Sequence, residues 1–281
     1  MPNNNNGGTF QTTDGLRLSE KLWLPKETKA VVVLIHGYAE HSRRYGHVGE
    51  YLAQRGYSLC AFDLRGHGKS EGERAFISSF DEYLQDAEVF LSRARERAKG
   101  RPIFILGHSL GGTIATLFVL ERRPQIAGLI LSGPLLKFSS DISPFHQKLA
   151  LILGAVFPKF PVAKKLDSRF ISRDPEVVRR YEDDPLVYRG WTFAREAAEI
   201  VRALKRVSGR MEEITLPLLI LQGSNDHLAN VEGSAELSRR AGSRDKTLKL
   251  YEGLYHEVLN ETEKARVLAD LAAWLDARVK I

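Results

Sequence analysis

Short runs of apolar, β-branched and aromatic residues alternate along the chain with segments in which apolar residues recur three and four positions apart. The first pattern is typical of buried β-strands and the second of amphipathic α-helices. The predicted strands span residues 16–24, 30–36, 57–63, 102–107, 126–132, 217–223 and 247–251. The predicted helices span residues 44–55, 80–98, 109–123, 231–241 and 261–279. Because strands and helices alternate, we expect an α/β fold with a mainly parallel sheet that helices cover on both faces.

The alternation stops between residues 134 and 194, where short helical pieces follow one another without a convincing β-type run. Such a span is too long for a loop of a compact domain. We therefore interpret residues 134–194 as a helical cap inserted into a core of residues 15–133 and 195–281. Residues 1–14 begin with an Asn- and Gly-rich stretch, which predicts a disordered tail.

Composition and charge restrict the possible classes of protein. A chain of 281 residues, 43% of them hydrophobic, can bury one large core. The formal net charge is +6, but Lys and Arg are scattered among 35 acidic residues, which argues against a nucleic-acid partner. The longest apolar run, residues 149–157, is far shorter than the ~20 residues of a spanning helix. We expect a soluble, cytoplasmic protein; peripheral membrane contact and the oligomeric state stay open.

A Gly-x-Ser-x-Gly pentapeptide lies between a predicted strand and a predicted helix. A serine on such a sharp strand-to-helix turn presents its hydroxyl to the site. Gly107 and Gly111 lack the Cβ atoms that would clash in so tight a turn. Ser109 is therefore the candidate nucleophile, and a flexible serine in a glycine-rich loop is the alternative.

A serine hydroxyl is a poor nucleophile at neutral pH, so Ser109 needs a base, and the base needs an orienting acid. Asp226 follows the predicted strand 217–223, and His256 follows the predicted strand 247–251. In parallel sheets the chemistry collects at the carboxyl ends of the strands. The order Ser109, Asp226, His256 is the chain order of the α/β-hydrolases and differs from that of chymotrypsin-like and subtilisin-like proteases.

Other acids and histidines fit these roles less well. His227 directly follows Asp226, so both side chains would have to leave one turn and still pair, and His256 is preferred. Asp63 also ends a predicted strand, but the glycine-rich sequence after it indicates a structural turn. The remaining candidates lack a suitable position at a strand end: His47, His146 and Asp245.

Acyl transfer also needs donors for the oxyanion that develops in the transition state. The two candidates are the backbone N–H of Leu110, directly after the candidate nucleophile, and the N–H of Tyr38, just after the predicted strand 30–36. Because backbone groups do this work, the side chains can vary. His36, at the end of the same strand, is assigned a structural role.

Five segments resemble the monoacylglycerol lipases and lysophospholipase-like serine hydrolases of the α/β-hydrolase superfamily: residues 36–45, 63–72, 106–112, 222–226 and 255–257. The most specific element is Glu-His-Ser-x-Arg-Tyr, which begins at Glu40. The resemblance implies an α/β-hydrolase fold with a cap that covers the pocket, admits the acyl chain and touches membranes. It also implies that Glu40 lies near the polar head of the substrate; a surface or supporting carboxylate is the alternative role.

The sequence departs from this family at several points. Ala39 stands where the family often has glycine, Tyr38 is bulkier than the alanine of some members, and no histidine follows shortly after His256 as in members that use one near glycerol. The cap is the least matched region. Its apolar residues can line an acyl channel, rest on a bilayer or pack the cap onto the sheet: Phe145, Leu149, Ile152, Leu153, Val156 and Phe157.

Candidate residues and resemblance together predict a serine carboxylester hydrolase that cleaves monoacylglycerols to fatty acid and glycerol through an acyl-enzyme. A lipid ester is thus the expected partner. The alternatives on the same scaffold are a lysophospholipase, a short-chain carboxylesterase and a peptidase, and a further one is a non-catalytic α/β-hydrolase that binds a ligand. The expected mechanism requires neither a metal nor an organic cofactor. Cys60 is the only cysteine, and no Cys/His cluster has metal-ligand spacing.

Overall fold

A computed structural model describes residues 6–139, 142–164 and 166–279 of the chain. Its strands are β1 (Asn6–Gln11), β2 (Arg17–Trp23), β3 (Ala30–Ile35), β4 (Tyr57–Phe62), β5 (Ile103–His108), β6 (Gly128–Ser132), β7 (Pro161–Ala163), β8 (Thr192–Phe193), β9 (Leu218–Gly223) and β10 (Lys246–Tyr251). Its α-helices are α1 (Gly46–Ala53), α2 (Asp81–Ala98), α3 (Leu110–Arg122), α4 (Pro144–Val156), α5 (Pro175–Asp183), α6 (Ala194–Ser208), α7 (Val231–Arg240) and α8 (Lys264–Asp276).

The main sheet has eight strands in the order β1-β2-β4-β3-β5-β6-β9-β10. The β1–β2 and β2–β4 pairings are antiparallel, and the pairings from β4 through to β10 are parallel. This is the α/β-hydrolase fold, so the predicted fold class is confirmed. The strands predicted from the apolar runs all lie in this sheet, and no predicted end differs from the observed one by more than two residues.

The central strands β3, β4 and β5 are buried along their full length. Alternate side chains of a strand point to opposite faces of the sheet. Val31 and Val33 belong to the apolar cluster that α2 and α3 complete, whereas Val32 and Leu34 belong to the cluster that α1 and α8 complete. Because helices cover both faces, these strands have continuous apolar sequences instead of alternating ones.

Near the N-terminus, residues 6–11 form a strand of the main sheet. β1 pairs with the whole of β2, and Phe10 is buried edge-on against Phe62 and beside Phe90. The prediction of a disordered tail over residues 1–14 is therefore wrong for residues 6–14, and residues 1–5 lie outside the described part. A buried aromatic ring and backbone pairing supply the order that an Asn- and Gly-rich composition did not indicate.

The segment between β6 and β9 lies outside the main sheet. α4 packs on α6, and α6 packs in turn on α3. Asp174 caps α5 by accepting the N–H of Glu176, and Pro175 occupies the first helical turn, where its missing N–H costs nothing. The expectation of no β-type run here is wrong in one detail, because β7 and β8 pair as a short antiparallel ribbon.

The outer side of α4 and the residues after it form an exposed apolar surface. Phe145 is 70% exposed, Val156 62% and Phe157 60%, and Ile152 and Phe160 are also more than half exposed. We call these five residues the exposed apolar face. Contiguous apolar surfaces of this kind mark interaction sites. Within the described residues, the helices are all too short or too polar to cross a membrane.

Candidate active site

Ser109 lies on the turn between β5 and α3 with a φ of 51° and a ψ of −119°. Such a conformation costs a non-glycine residue about 1–3 kcal/mol, and strain of this size clusters at functional sites. A Cβ atom on Gly107 would collide with the carbonyl of Gly111, and one on Gly111 would collide with the carbonyl of Ile35. The two glycines therefore let the chain turn sharply enough to hold Ser109 at the carboxyl end of β5.

Asp226 and His256 come together from the loops that follow β9 and β10. The Nδ1 atom of His256 lies 2.8 Å from Oδ2 of Asp226. Because the carboxylate only accepts, Nδ1 carries the proton and Nε2 is left as the basic nitrogen. His256 and Ser109 line the same small cavity. No hydrogen bond joins them among the described residues, and such contacts are often long in free enzymes and tighten when substrate binds.

The charges around this pair favour an ionised acid and a basic imidazole. Burial lowers the pKa of His256, but the carboxylate of Asp226, with smaller effects of Glu257 and Glu40, outweighs it and raises the pKa above its ordinary value. Burial raises the pKa of Asp226, but His256 and backbone donors outweigh that effect and lower it. Asp226 is thus suited to orient the imidazole and to stabilise its protonated form.

The backbone N–H groups of Tyr38 and Leu110 both lie beside Ser109. Both residues line the cavity into which Ser109 opens, and a Cβ built on Gly37 would lie 3.0 Å from that of Ser109. Neither N–H donates to an acceptor within the described part of the protein. Leu110 is also the first residue of α3, where the helix dipole favours a negative charge. The arrangement can therefore receive an oxyanion formed at Ser109.

Glu40 is almost completely buried, and its carboxylate accepts three hydrogen bonds. Oε1 accepts from the Gly37 N–H and the Tyr45 hydroxyl, each at 2.7 Å, and Oε2 accepts from Arg44 at 2.8 Å. Burial raises the pKa of Glu40, but Arg44, followed by His108 and His36, outweighs it and lowers the pKa to about 2. The carboxylate is therefore ionised and fixed by the loop that also carries Tyr38.

Arg44 connects this loop to the loop of the histidine. Its guanidinium bonds to Glu40 and makes a bidentate pair with Glu257, the residue next to His256. The same guanidinium lies 4.8 Å from the centre of the ring of Tyr181, a buried residue of α5. Arg44 and Glu257 lie in two of the segments that resemble the family, residues 36–45 and 255–257. Their pairing could not be predicted from the sequence, because the two residues are more than 200 positions apart.

A mainly apolar cavity of about 390 Å³ extends from Ser109 beneath α4 and α6. Its apolar lining includes Leu110, Leu135, Phe138, Leu149, Ile200 and Leu228. A second, much smaller cavity of about 10 Å³ also reaches Ser109, and both polar residues, among them Glu40 and Glu257, and apolar residues line it. The larger space beside Ser109 is therefore mainly apolar.

Comparison with known proteins shows the family to which the chain belongs. The Hydrolase_4 family, described as Serine aminopeptidase, S33, matches residues 26–263. The chain belongs to this family. The monoacylglycerol lipase of Mycolicibacterium smegmatis is 37% identical over 268 residues, which cover 95% of each chain.

A further relative and a solved structure are also similar to this Hydrolase_4 protein over most of its length. The monoglyceride lipase of Homo sapiens is 35% identical over 94% of this chain and 88% of its own. The crystal structure of the monoacylglycerol lipase of Paleococcus ferrophilus has a TM-score of 0.84 and 31% identity, covering 93% of this chain and 99% of that chain. The expected resemblance and the expectation of a serine hydrolase are confirmed.

The other histidines of this Hydrolase_4 protein have different partners. The ring of His227 packs 4.7 Å from that of Phe170 instead of pairing with its neighbour Asp226. His36 accepts the Leu64 N–H at Nε2, so its Nδ1 donates to the carbonyl of Gly37. His36 therefore supports the turn after β3, as its assigned structural role requires.

The rejected acids also have structural partners. Asp63 accepts the N–H and hydroxyl of Ser42 and the N–H of Lys69, so it holds the turn after β4. Asp245 forms an ion pair with Arg278. Among the described residues, no group of three or more His, Cys, Asp or Glu is arranged to hold a metal ion.

Proposed function

We propose that this protein is a serine ester hydrolase that cleaves monoacylglycerols to a fatty acid and glycerol. The observation that carries the proposal is the mainly apolar cavity of about 390 Å³ that opens at Ser109, with His256 paired to Asp226 beside it. An acyl chain matches this cavity. The monoacylglycerol lipases that are 35% and 37% identical over nearly the whole chain support the same substrate class.

In the proposed mechanism, Ser109 attacks the ester carbonyl while Nε2 of His256 takes the hydroxyl proton. Asp226 holds the imidazole in the required tautomer, and the N–H groups of Tyr38 and Leu110 bind the oxyanion, each donor contributing about 3–4 kcal/mol. His256 then gives its proton to the leaving glycerol oxygen. A water molecule loses a proton to His256, attacks the acyl-enzyme and releases the fatty acid.

We also propose that residues 134–194 act as the cap of this site. α4 contributes Leu149 to the apolar cavity, so its inner side would contact the acyl chain. The exposed apolar face on the outer side would rest on the membrane in which the substrate is dissolved, and Lys148 beside it would favour an anionic surface. The cap would then pass the substrate from the lipid to Ser109 without a spanning segment.

For the polar end, we propose that Glu40 helps to form the alcohol side of the site. Three protein donors occupy its carboxylate, so its contribution is to hold the Gly37 turn and Arg44 in place. Comparison of monoacylglycerols with lysophospholipids as substrates distinguishes the proposal from the lysophospholipase alternative.

A substrate series tests the proposal. Initial rates are measured for monoacylglycerols of increasing acyl length, matched simple esters and matched lysophospholipids. We expect the highest kcat/KM for medium or long monoacylglycerols. Preference for lysophospholipids or for short simple esters would contradict the substrate assignment, and inactivity on every ester would favour the non-catalytic alternative.

A further inference from the structure

Gln222 occupies a fully buried position on β9, four residues before Asp226. Its Nε2 donates to Oδ2 of Asp226 at 2.8 Å, and its Oε1 accepts from the hydroxyl of Ser234 at 2.8 Å. Oδ2 also accepts the hydrogen bond from Nδ1 of His256. Gln222 and His256 therefore share one acceptor atom.

The chemistry of the partners fixes the direction of this chain of hydrogen bonds. An ionised carboxylate only accepts, so the amide of Gln222 must turn its NH₂ group toward Asp226. Its carbonyl oxygen then faces Ser234, a fully buried residue of α7 whose hydroxyl can donate. The other oxygen of Asp226, Oδ1, accepts the N–H groups of Leu228 and Ala229. Each carboxylate oxygen of Asp226 therefore has two hydrogen-bond donors.

We propose that Gln222, oriented by Ser234, is a positioning residue that fixes the Asp226 carboxylate against His256 and limits how strongly Oδ2 holds the imidazole proton. The inference rests on the proposed function, because it assigns Asp226 and His256 their roles in ester hydrolysis. Gln222 does not line either cavity beside Ser109 in the described part of the chain. Its effect reaches the substrate only through the histidine.

Gln222 also affects the proton affinity of His256. The NH₂ dipole of Gln222 places partial positive charge beside Oδ2, which opposes a proton on His256. Without this dipole, the carboxylate of Asp226 stabilises the protonated imidazole more strongly. The pKa of His256 should then rise, and the orientation of the carboxylate should loosen.

The test compares Gln222→Met, which removes the donor at similar volume, with Ile220→Val, which perturbs the same buried strand without touching Asp226. The pH dependence of kcat/KM is measured with one monoacylglycerol. For Gln222→Met we expect the acidic limb to move upward by about half a pH unit and kcat to fall about 10-fold at unchanged KM. Ser234→Ala should give a smaller shift in the same direction, and Ile220→Val none.

An acidic limb that stays in place in Gln222→Met, with a loss no larger than that of Ile220→Val, would overturn the inference and leave Gln222 a structural residue. If Gln222→Met does not fold, the shift in Ser234→Ala decides. Ser109→Ala and Asp226→Asn are measured in parallel. Full activity in either of these would contradict the proposed function itself, whatever Gln222 does.

Discussion

Both terminal NH₂ groups of the Arg44 guanidinium donate hydrogen bonds to the carboxylate of Glu257, at 2.6 Å and 2.7 Å. Glu257 is 4% exposed, and Arg44 also bonds to the buried Glu40. The pair therefore fastens the loop of Tyr38 to the loop of His256. Arg44 thus connects the loops of the Tyr38 N–H and the His256 imidazole, two groups that we propose act at the same ester carbonyl.

Removal of this connection should destabilise the protein strongly. Arg44→Met leaves two buried carboxylates without their cation, which we expect to lower the free energy of unfolding by about 3–5 kcal/mol. Arg43→Met is the matched control, since Arg43 is exposed and forms no ion pair among the described residues. Urea unfolding of both variants checks the prediction. Equal stabilities would mean that the buried pair contributes little.

The activity should depend on pH through His256. The base must be neutral to accept the serine proton, so kcat/KM should be lost as the pH falls through the pKa of His256. Because Asp226 raises that pKa above 6.5, the midpoint of the acidic limb should lie above 6.5. A pH profile with a soluble ester measures the midpoint. A midpoint below 6.5 would contradict the assigned balance of charges.

The hydroxyl of Tyr38 should matter little to the chemistry. It accepts a hydrogen bond from Thr192 at 3.2 Å, while the proposed oxyanion donor is the backbone N–H. We expect Tyr38→Phe to keep kcat within about 10-fold of wild type, because one neutral hydrogen bond is worth only about 0.5–1.5 kcal/mol. Steady-state kinetics check this. A loss near the 100-fold effect of a missing oxyanion donor would instead implicate the hydroxyl.

The exposed apolar face should contribute to membrane binding and not to the chemical step. A double change of Val156→Ser and Phe157→Ser removes two side chains that are each about 60% exposed. Co-sedimentation with anionic vesicles should then show at least about a 10-fold weaker association, from the lost burial of apolar area. Hydrolysis of a soluble ester should be unchanged.

The control for this experiment is Leu250→Ser, which removes an equally apolar, half-exposed side chain on the edge strand β10. It should bind vesicles as wild type does. If it loses as much affinity as the double variant, the association is not specific to the cap.

The sequence was sufficient to predict the main strands and the positions of Ser109, Asp226 and His256. Their signals are local: continuous apolar runs, a glycine-bounded turn, and polar residues directly after strands. The structure brings Asp226 and His256 into contact, and their catalytic roles stay proposals. The prediction for residues 6–14 was wrong because a single side chain, Phe10, provides most of the apolar anchorage of β1.

The supporting residues could not be assigned from sequence. Arg44 meets Glu257 and Gln222 meets Ser234 only after the chain has folded, and neither pair has a periodic or adjacent pattern that reveals it. Glu40 was placed at the substrate by resemblance, whereas its three protein donors depend on how the turn after β3 closes. Short-range patterns indicate elements and strand ends, and long-range polar pairings do not follow from them.

The central claim is that Ser109 carries the acyl group during turnover. The most direct measurement is an acid quench within the first turnover of a long-chain monoacylglycerol, followed by mass spectrometry of the peptide that contains Ser109. Ser78→Ala, at an exposed serine before α2, is the control beside Ser109→Ala. We expect the acyl mass on Ser109 in wild type and in Ser78→Ala, and neither adduct nor turnover in Ser109→Ala. Turnover by Ser109→Ala, or an adduct on another residue, would contradict the account.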